Sequence, residues 1–109
     1  MPYPTYSKYH NKICEFDGKK FDSKKELDRY LELILMIRSG DIKYLELQPR
    51  FRIEINGKKI CDYYADFRYF DTKKNRYVVE DVKGMKTDVY KIKKKLVEAQ
   101  LGISVEEIS

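Results

Sequence analysis

A helix-forming segment lies between the last two strand-forming segments of this chain, and this order restricts the fold more than any other feature of the sequence. The strand-like segments RYVVEDVK and ISVEEI flank a stretch in which apolar side chains recur at helical spacing. Strands joined by a crossover helix run parallel, whereas strands joined by short turns run antiparallel. Because short turns join the earlier strand-like segments, the sequence predicts a mixed sheet with helices packed on it.

Local signals predict where each helix begins and ends. The first helix spans SKKELDRYLELILMIRSG, in which Ser23 and Glu26 have capping-box spacing and Gly40 suits a helix end. A hairpin around Asp17-Gly18 leads into it. The second helix has Thr87 or Asp88 as its cap and extends to Ala99 or Gln100. Its apolar face is formed by Val89, Ile92, Leu96 and Ala99.

Between the two helices the chain has the composition of strands. IKYLEL and RFRIEI alternate as strand sequence that Pro49 interrupts, and Asn56-Gly57 turns the chain back. KICDYYADFRYF and RYVVEDVK follow as two strands that the polar loop DTKKN joins. The expected order of elements is helix, three strands, helix and strand.

The strand RYVVEDVK ends in charged residues that an ordinary core strand would lack. Side chains alternate across a strand, so Asp81 and Lys83 share one face and Glu80 lies on the other. A loop centred on residues 71–76 fixes how this strand pairs with the strand before it, although a slip of one residue would change every pair. Counting back from the loop predicts the pairs Phe70–Tyr77, Arg68–Val79, Asp66–Asp81 and Tyr64–Lys83.

This register sets two carboxylates side by side. Like charges on directly opposed strand positions destabilise a sheet, and a divalent cation would compensate for the repulsion between Asp66 and Asp81. Mg²⁺ takes one or two protein carboxylates and completes its shell with waters and phosphate oxygens. Lys83 on the same face would orient or help deprotonate the attacking water, or neutralise charge on a phosphate. The alternative is a surface ladder of salt bridges on a solvated sheet face.

Asp66, followed fifteen positions later by Asp81-Val82-Lys83 within this order of elements, resembles the PD-(D/E)xK nuclease superfamily. That superfamily includes restriction enzymes, archaeal Holliday-junction resolvases and transposon-end nucleases. The blocks FDSKKE, LELQPRF, YADFRYF and VVEDVKG and the lysine-rich second helix also resemble small phage and prophage proteins described as resolvase-like. The resemblance covers about residues 12–108. It implies an α/β fold with a restriction-endonuclease-like αβββαβ core.

The resemblance also implies a site and a reaction. Asp66 matches the acid of the second core strand, Asp81 the acid of the D/E-x-K motif, and Lys83 its lysine. Glu26 matches a helix glutamate that some members add to the metal site, so that Asp66, Asp81 and Glu26 would hold Mg²⁺ or Mn²⁺. The implied activity is metal-dependent hydrolysis of DNA phosphodiester bonds, with branched or junction DNA as substrate. A phage- or prophage-encoded protein in the cytoplasm of a bacterial host would carry it out.

Several of these assignments have alternatives. Ala65 stands where the superfamily motif has proline, and Glu80 beside Asp81 leaves the motif acid ambiguous by one residue. Glu26 could serve only to complete the capping box with Ser23. Gln48 is a possible accessory to the site, or it forms only a hydrogen bond at a strand end.

The charge of the chain favours a polyanionic partner. Lys and Arg number 23 against 18 Asp and Glu, a net charge of +5. Phosphate contacts would make DNA binding salt-dependent, although lysines on a solvated helix face need have no partner. A homodimer would present two sites to two DNA strands. The candidate DNA-binding residues are Lys24, Lys86, Lys91, Lys94 and Lys95.

Length and composition bound the domain organisation. With 109 residues we expect an N-terminal lead in a loop at residues 1–11 and a single domain at 12–109. No apolar run approaches the roughly 20 residues of a membrane span, and the lead MPYPTYSKYHNK has no apolar core of a signal peptide. Cys14 and Cys61 lack zinc-site spacing and fit a reducing cytoplasm. The alternative function is a non-catalytic nucleic-acid-binding or interaction protein with the same fold.

Overall fold

A computed structural model of the chain describes residues 5–6, 14–82 and 86–109. Within that part of the chain, neither helix is long and apolar enough to cross a membrane. Thr5–Tyr6 form a short strand, where the sequence predicted a loop, and the other residues of the lead lie outside the described part. In chain order the elements are β1 (Thr5–Tyr6), β2 (Cys14–Phe16), β3 (Lys19–Phe21), α1 (Lys24–Arg38), β4 (Ile42–Leu47), β5 (Arg50–Ile55), β6 (Lys58–Tyr64), β7 (Phe67–Asp71), β8 (Arg76–Val82), α2 (Asp88–Leu101) and β9 (Val105–Ile108).

The central sheet is mixed, as predicted. Its strands lie in the order β4, β7, β8 and β9. The first three pair antiparallel, and β9 pairs parallel to β8 after the crossover through α2. If the hairpin β5–β6 is set aside, the order α1, β4, β7, β8, α2 and β9 is the expected helix, three strands, helix and strand. The chain is therefore an α/β domain.

The hairpin β5–β6 corrects the sequence interpretation, which treated KICDYYADFRYF as one strand. The chain leaves the sheet after Leu47 and returns at Phe67, so β6 and β7 are separate strands in different sheets. Gln48, whose φ is +51°, donates its backbone N–H to the Asp66 carbonyl at 2.9 Å. Ala65 donates in turn to the carbonyl of Pro49 at 3.2 Å. These bonds fasten the two ends of the hairpin beside the sheet.

Helix α1 and the N-terminal hairpin cover one face of the sheet. Ser23 caps α1 by accepting the N–H of Glu26 through its Oγ at 3.1 Å, and the predicted turn at Asp17-Gly18 has the positive φ values of 53° and 75°. Both predictions are confirmed. The apolar core on this face contains Phe16, Phe21, Leu27, Tyr30, Leu33, Ile42, Phe67, Tyr69 and Val78.

Helix α2 and the hairpin β5–β6 cover the opposite face. Thr87 caps α2, and Gly102 ends it in the left-handed conformation at φ 67°. The side chain of Gln100 accepts from the backbone N–H of Glu54 at 2.7 Å and donates to the carbonyl of Arg52 at 2.6 Å, which ties α2 to β5. The core on this face contains Phe51, Ile53, Tyr63, Ala65, Val79, Val97 and Val105.

The buried face of α2 differs from the predicted one. Val89 and Ile92 are 63% and 59% exposed, whereas Val97 is fully buried. Because the hairpin lies beside α2 and not in the central sheet, its apolar residues meet a different side of the helix. The apolar spacing of α2 therefore predicted the helix correctly but not the face that packs.

Candidate active site

The predicted strand register is confirmed as far as the first residue of β7. The observed pairs include Phe70 with Tyr77 and Arg68 with Val79, and the ladder ends at Phe67 with Glu80. The predicted pair Asp66–Asp81 would be the next step, and Asp66 directly precedes β7. Asp66 therefore lies at the end of β8 that carries Asp81.

Asp66 is bonded to the residues on both sides of Asp81. Its backbone N–H donates to the carbonyl of Glu80 at 3.0 Å, and its Oδ2 accepts the backbone N–H of Val82 at 2.7 Å. These two bonds fix the position of Asp66 relative to Asp81. A hydrogen bond between a carboxylate and a backbone N–H is charge-assisted and holds its geometry well.

The register prediction fails one step further on. Tyr64 pairs with Arg50 inside the hairpin and so is not in the strand that faces β8. Lys83, its predicted partner and the motif lysine, lies outside the described residues. The cause is the break at Ala65 and Asp66, where the chain moves from one sheet to the other.

Asp81 is fully buried on the α2 side of the sheet, whereas Asp66 is half-buried. The negative charge of Asp81 acts on Tyr90 of α2. Burial, a hydrogen bond to Glu107 and the negative charge of Asp81 together raise the pKa of the Tyr90 phenol above its ordinary value. The Tyr90 hydroxyl therefore stays protonated at neutral pH and remains a hydrogen-bond donor.

Glu80 has a different role on the opposite face of β8. Its fully buried carboxylate accepts from Arg29 of α1, with Nε to Oε1 at 2.8 Å and Nη2 to Oε2 at 2.6 Å. The Tyr69 hydroxyl donates to the same carboxylate. Burial and this hydrogen bond raise the pKa of Tyr69. Glu80 is thus part of an ion pair that joins α1 to the sheet, and it contacts Asp66 through its backbone carbonyl while its carboxylate binds Arg29 and Tyr69.

Glu26 is 5% exposed in the first turn of α1, where its backbone N–H forms half of the predicted capping box with Ser23. In the described residues, no three His, Cys, Asp or Glu side chains are close enough together to hold a metal ion. The structure therefore does not assemble Glu26 with Asp66 and Asp81 into one group of ligands. Gln48 contacts the site through the hydrogen bond from its backbone N–H to the carbonyl of Asp66. This bond is the strand-end hydrogen bond that the sequence analysis gave as the alternative to an accessory role.

Glu107 is a residue of this region that the sequence analysis missed. It pairs with Asp81 in the parallel ladder between β8 and β9. Its carboxylate accepts from the Tyr90 hydroxyl at 2.9 Å and lies 3.2 Å from Nζ of Lys86 and 3.6 Å from Nζ of Lys94. The hydrogen bonds from Tyr90 and Lys86 lower the pKa of Glu107. The crossover through α2 predicted parallel pairing, and a register for β9 would have identified this residue.

The predicted DNA-binding lysines lie in two places. Lys24 is on α1 and pairs with Asp28 at 3.0 Å. The other four line a cleft of about 330 Å³ along α2, together with Tyr90, Glu98 and Glu107. Within that cleft Lys91 and Lys95 are exposed, while Lys86 and Lys94 lie within ion-pair distance of Glu107.

Comparison with known proteins gives a family but no activity. No curated protein and no solved structure matches the chain significantly. A family model described as "Protein of unknown function (DUF1064)" matches residues 6–106. Because this match covers far more than half of its length, the chain belongs to the DUF1064 family.

Proposed function

We propose that this protein is a metal-dependent DNA endonuclease of the PD-(D/E)xK type, with a restriction-endonuclease-like αβββαβ core. The observation that carries the proposal is that Asp66 is hydrogen-bonded to Glu80 and Val82, the residues on either side of Asp81, where two antiparallel strands of the mixed sheet adjoin. The resemblance of the sequence to that superfamily concerns these same two residues. The order and direction of the central strands are compatible with such a core.

The two acids suit a divalent cation such as Mg²⁺ or Mn²⁺. Their donors are carboxylate oxygens, which hard cations prefer, and Mg²⁺ needs only one or two protein carboxylates when phosphate and water complete its shell. Two carboxylates are therefore enough protein ligands for such an ion. When bound, the ion would activate water and stabilise charge on the phosphate. We assign Asp66 and Asp81 as its ligands.

The chain's own residues would position the reaction. The N–H of Val82 fixes one oxygen of Asp66, so that the carboxylate is oriented before substrate arrives. Asp81 is fully buried, so its carboxylate is shielded from bulk solvent. Lys83 is two positions after Asp81 in the sequence, and we assign it to orient the attacking water and to balance negative charge at the phosphate.

The proposed substrate is DNA, and its branched or junction form rests on the resemblance to resolvase-like phage proteins. The net charge of +5 and the lysines along α2 support a polyanionic partner. A homodimer would supply a second site for the second strand. A phage or prophage origin and action in the bacterial cytoplasm belong to the same proposal.

A second candidate is a nucleic-acid-binding protein of the same fold that does not cut. One observation in its favour is that Lys86 and Lys94 form ion pairs with Glu107, which fixes the side chains of a basic cleft. Another is that no three-residue ligand group lies in the described residues. Such a protein would bind DNA equally well with or without divalent metal and would release no products.

Cleavage of supercoiled plasmid and of a synthetic four-way junction, with Mg²⁺, Mn²⁺ or EDTA, tests the proposal. Wild-type protein should cut at least one substrate with metal and neither with EDTA. The Asp81→Asn variant should bind the same DNA and fail to cut it. Binding without cutting by wild-type protein under all metal conditions would overturn the nuclease assignment and leave the second candidate.

A further inference from the structure

A row of aromatic side chains crosses the end of the central sheet opposite the two acids. It consists of Tyr44 of β4, Phe70 of β7 and Tyr77 of β8. The ring centroids of Phe70 and Tyr77 are 5.3 Å apart in an edge-to-face arrangement, and those of Tyr44 and Phe70 are 6.4 Å apart. We refer to these three residues as the aromatic row.

Two cations lie over the aromatic row. Nζ of Lys43 is 5.1 Å from the ring centroid of Tyr44 and 5.5 Å from that of Phe70. The guanidinium carbon of Arg68 is 4.7 Å from the ring centroid of Tyr77. Arg68 also has a distant ion pair with Glu46, at 4.0 Å. Rings and cations thus form one continuous surface across three strands.

This surface is open to solvent although its rings are large and apolar. Tyr44 is 63% exposed and Tyr77 is 48% exposed, and Phe70 is half-buried between them. Tyr77 also lines a cleft of about 470 Å³ with Arg76 and Ser104. Exposed aromatic rings interleaved with positive charge are the composition of surfaces that bind single-stranded nucleic acids.

We propose that the aromatic row binds unpaired DNA bases by stacking. Bases stack on aromatic rings and on the guanidinium plane of arginine, and Lys43 and Arg68 would attract the phosphates that join them. Paired bases do not expose their faces, so the row would distinguish single-stranded or frayed DNA from duplex. This inference deepens the proposed function, on which it rests, because it names the form of DNA that the nuclease would engage.

The position of the row relative to the acids supports this assignment. Arg68 and Phe70 are alternate residues of β7, and Asp66 continues this alternation just before the strand. All three are half-buried. Four strand residues span about 14 Å, a distance that a few nucleotides of DNA can bridge. Bases held by the row would therefore lie a few nucleotides from the bond that the acids would cut.

The sheet itself offers another reason for such a row, since cross-strand aromatic pairs stabilise antiparallel strands. A purely structural row would affect folding and would be indifferent to the bases of a bound strand. DNA that keeps its phosphates but lacks its bases separates the two roles, and it does so with the wild-type protein alone.

Binding without added metal, measured by fluorescence anisotropy, provides the test. The probes are a labelled oligothymidine, an abasic strand of equal length and charge, and a duplex of equal length. The variants are Tyr44→Leu/Tyr77→Leu and Tyr44→Phe/Tyr77→Phe, with Tyr64→Leu as the control because Tyr64 is 57% exposed on the hairpin β5–β6. Circular dichroism and melting curves establish that each variant is folded.

Wild-type protein should bind the oligothymidine about tenfold or more tightly than the abasic strand. The double leucine variant should lose this preference and bind duplex as before, whereas the phenylalanine variant and the Tyr64→Leu control should keep it. Equal wild-type affinity for the two single strands would overturn the proposal, as would an undiminished preference in the folded leucine variant. Since no cleavage is measured, a failure of the nuclease assignment would leave this result unaffected, and the reverse also holds.

Discussion

Two acids that are neighbours in the sequence have opposite surroundings in the structure. The Glu80 carboxylate forms an ion pair with Arg29 on the α1 side of the sheet, while Asp81 lies on the α2 side, near Tyr90. Strand alternation predicted this separation, and the short loop after β7 predicted the register. The ion pair was not predictable, because it joins residues 51 positions apart and depends on how α1 lies on the sheet.

The first prediction concerns which acid acts in catalysis. Asp81→Asn and Lys83→Ala should each lower the single-turnover cleavage rate by several orders of magnitude, on the order of 10³-fold or more, while DNA affinity changes little, because both residues would act mainly in the transition state. Glu80→Gln should lower the rate far less. Loss of cleavage in Glu80→Gln together with normal cleavage in Asp81→Asn would contradict the assignment.

The second prediction concerns the ion pair. Arg29→Met should destabilise the protein by roughly 3–5 kcal/mol, because it leaves the charge of Glu80 buried without its partner. The double variant Arg29→Met/Glu80→Gln should recover much of this loss. The matched control is Arg52→Met, which removes an exposed pair with Glu54 and should cost about 1 kcal/mol or less. Urea unfolding curves measure all three, and equal losses for the two single variants would refute a special role for the buried pair.

At the scale of elements, the features that local sequence signals determine were predicted correctly, and the features that tertiary contacts determine were not. Caps such as Ser23 and Gly102 lie in the sequence beside the helices that they end, so the limits of both helices were predictable. The break between β6 and β7 depends on hydrogen bonds from Gln48 and to Pro49, which come from a distant part of the chain. The packed face of α2 was mispredicted for the same reason, because the position of the hairpin decides it.

The third prediction concerns the basic cleft along α2. Replacing Lys91, Lys94 and Lys95 by glutamine should weaken DNA binding and flatten its dependence on salt, by about 0.9 in log–log slope for each duplex phosphate contact that is lost. Cleavage at saturating DNA should persist. Lys58→Gln/Lys73→Gln/Lys74→Gln is the control that removes the same charge, because these three lysines are exposed and none of them lines the cleft along α2. A slope that falls equally in the two variants would show that the effect is one of net charge only.

At the scale of the whole molecule, two separate apolar cores lie on the two faces of one sheet, and the acids lie where two of its strands meet the hairpin. This arrangement makes Asp66 part of the framework as well as of the candidate site. The mixed sheet was predictable from the order of elements. The division into three sheets was not, because Pro49 marks the break after β4 but no local signal marks the break between β6 and β7. The homodimer stays a prediction that light scattering in solution would check.

The fourth prediction links the site to global stability. Millimolar Mg²⁺ or Mn²⁺ should raise the melting temperature, because an ion that binds only the folded protein stabilises it, and the shift should grow with metal concentration. Asp66→Asn should abolish the response while its amide oxygen still accepts the N–H of Val82. Asp28→Asn, at an exposed site on α1, should respond as wild type does. A wild-type melting curve that is indifferent to both metals would count against a shared metal site.

Because Asp66 accepts a hydrogen bond from Val82, we expect Asp66 and Asp81 to be retained to different degrees in evolution. In a lineage that abandoned catalysis, selection for a metal ligand at position 81 would end, and an apolar residue there would match the buried Val79 on the same strand face. Position 66 would still need a side chain that accepts the backbone N–H at the end of β8, so aspartate or asparagine would persist there. Homologues that have lost the activity should therefore replace Asp81 first and retain aspartate or asparagine at position 66.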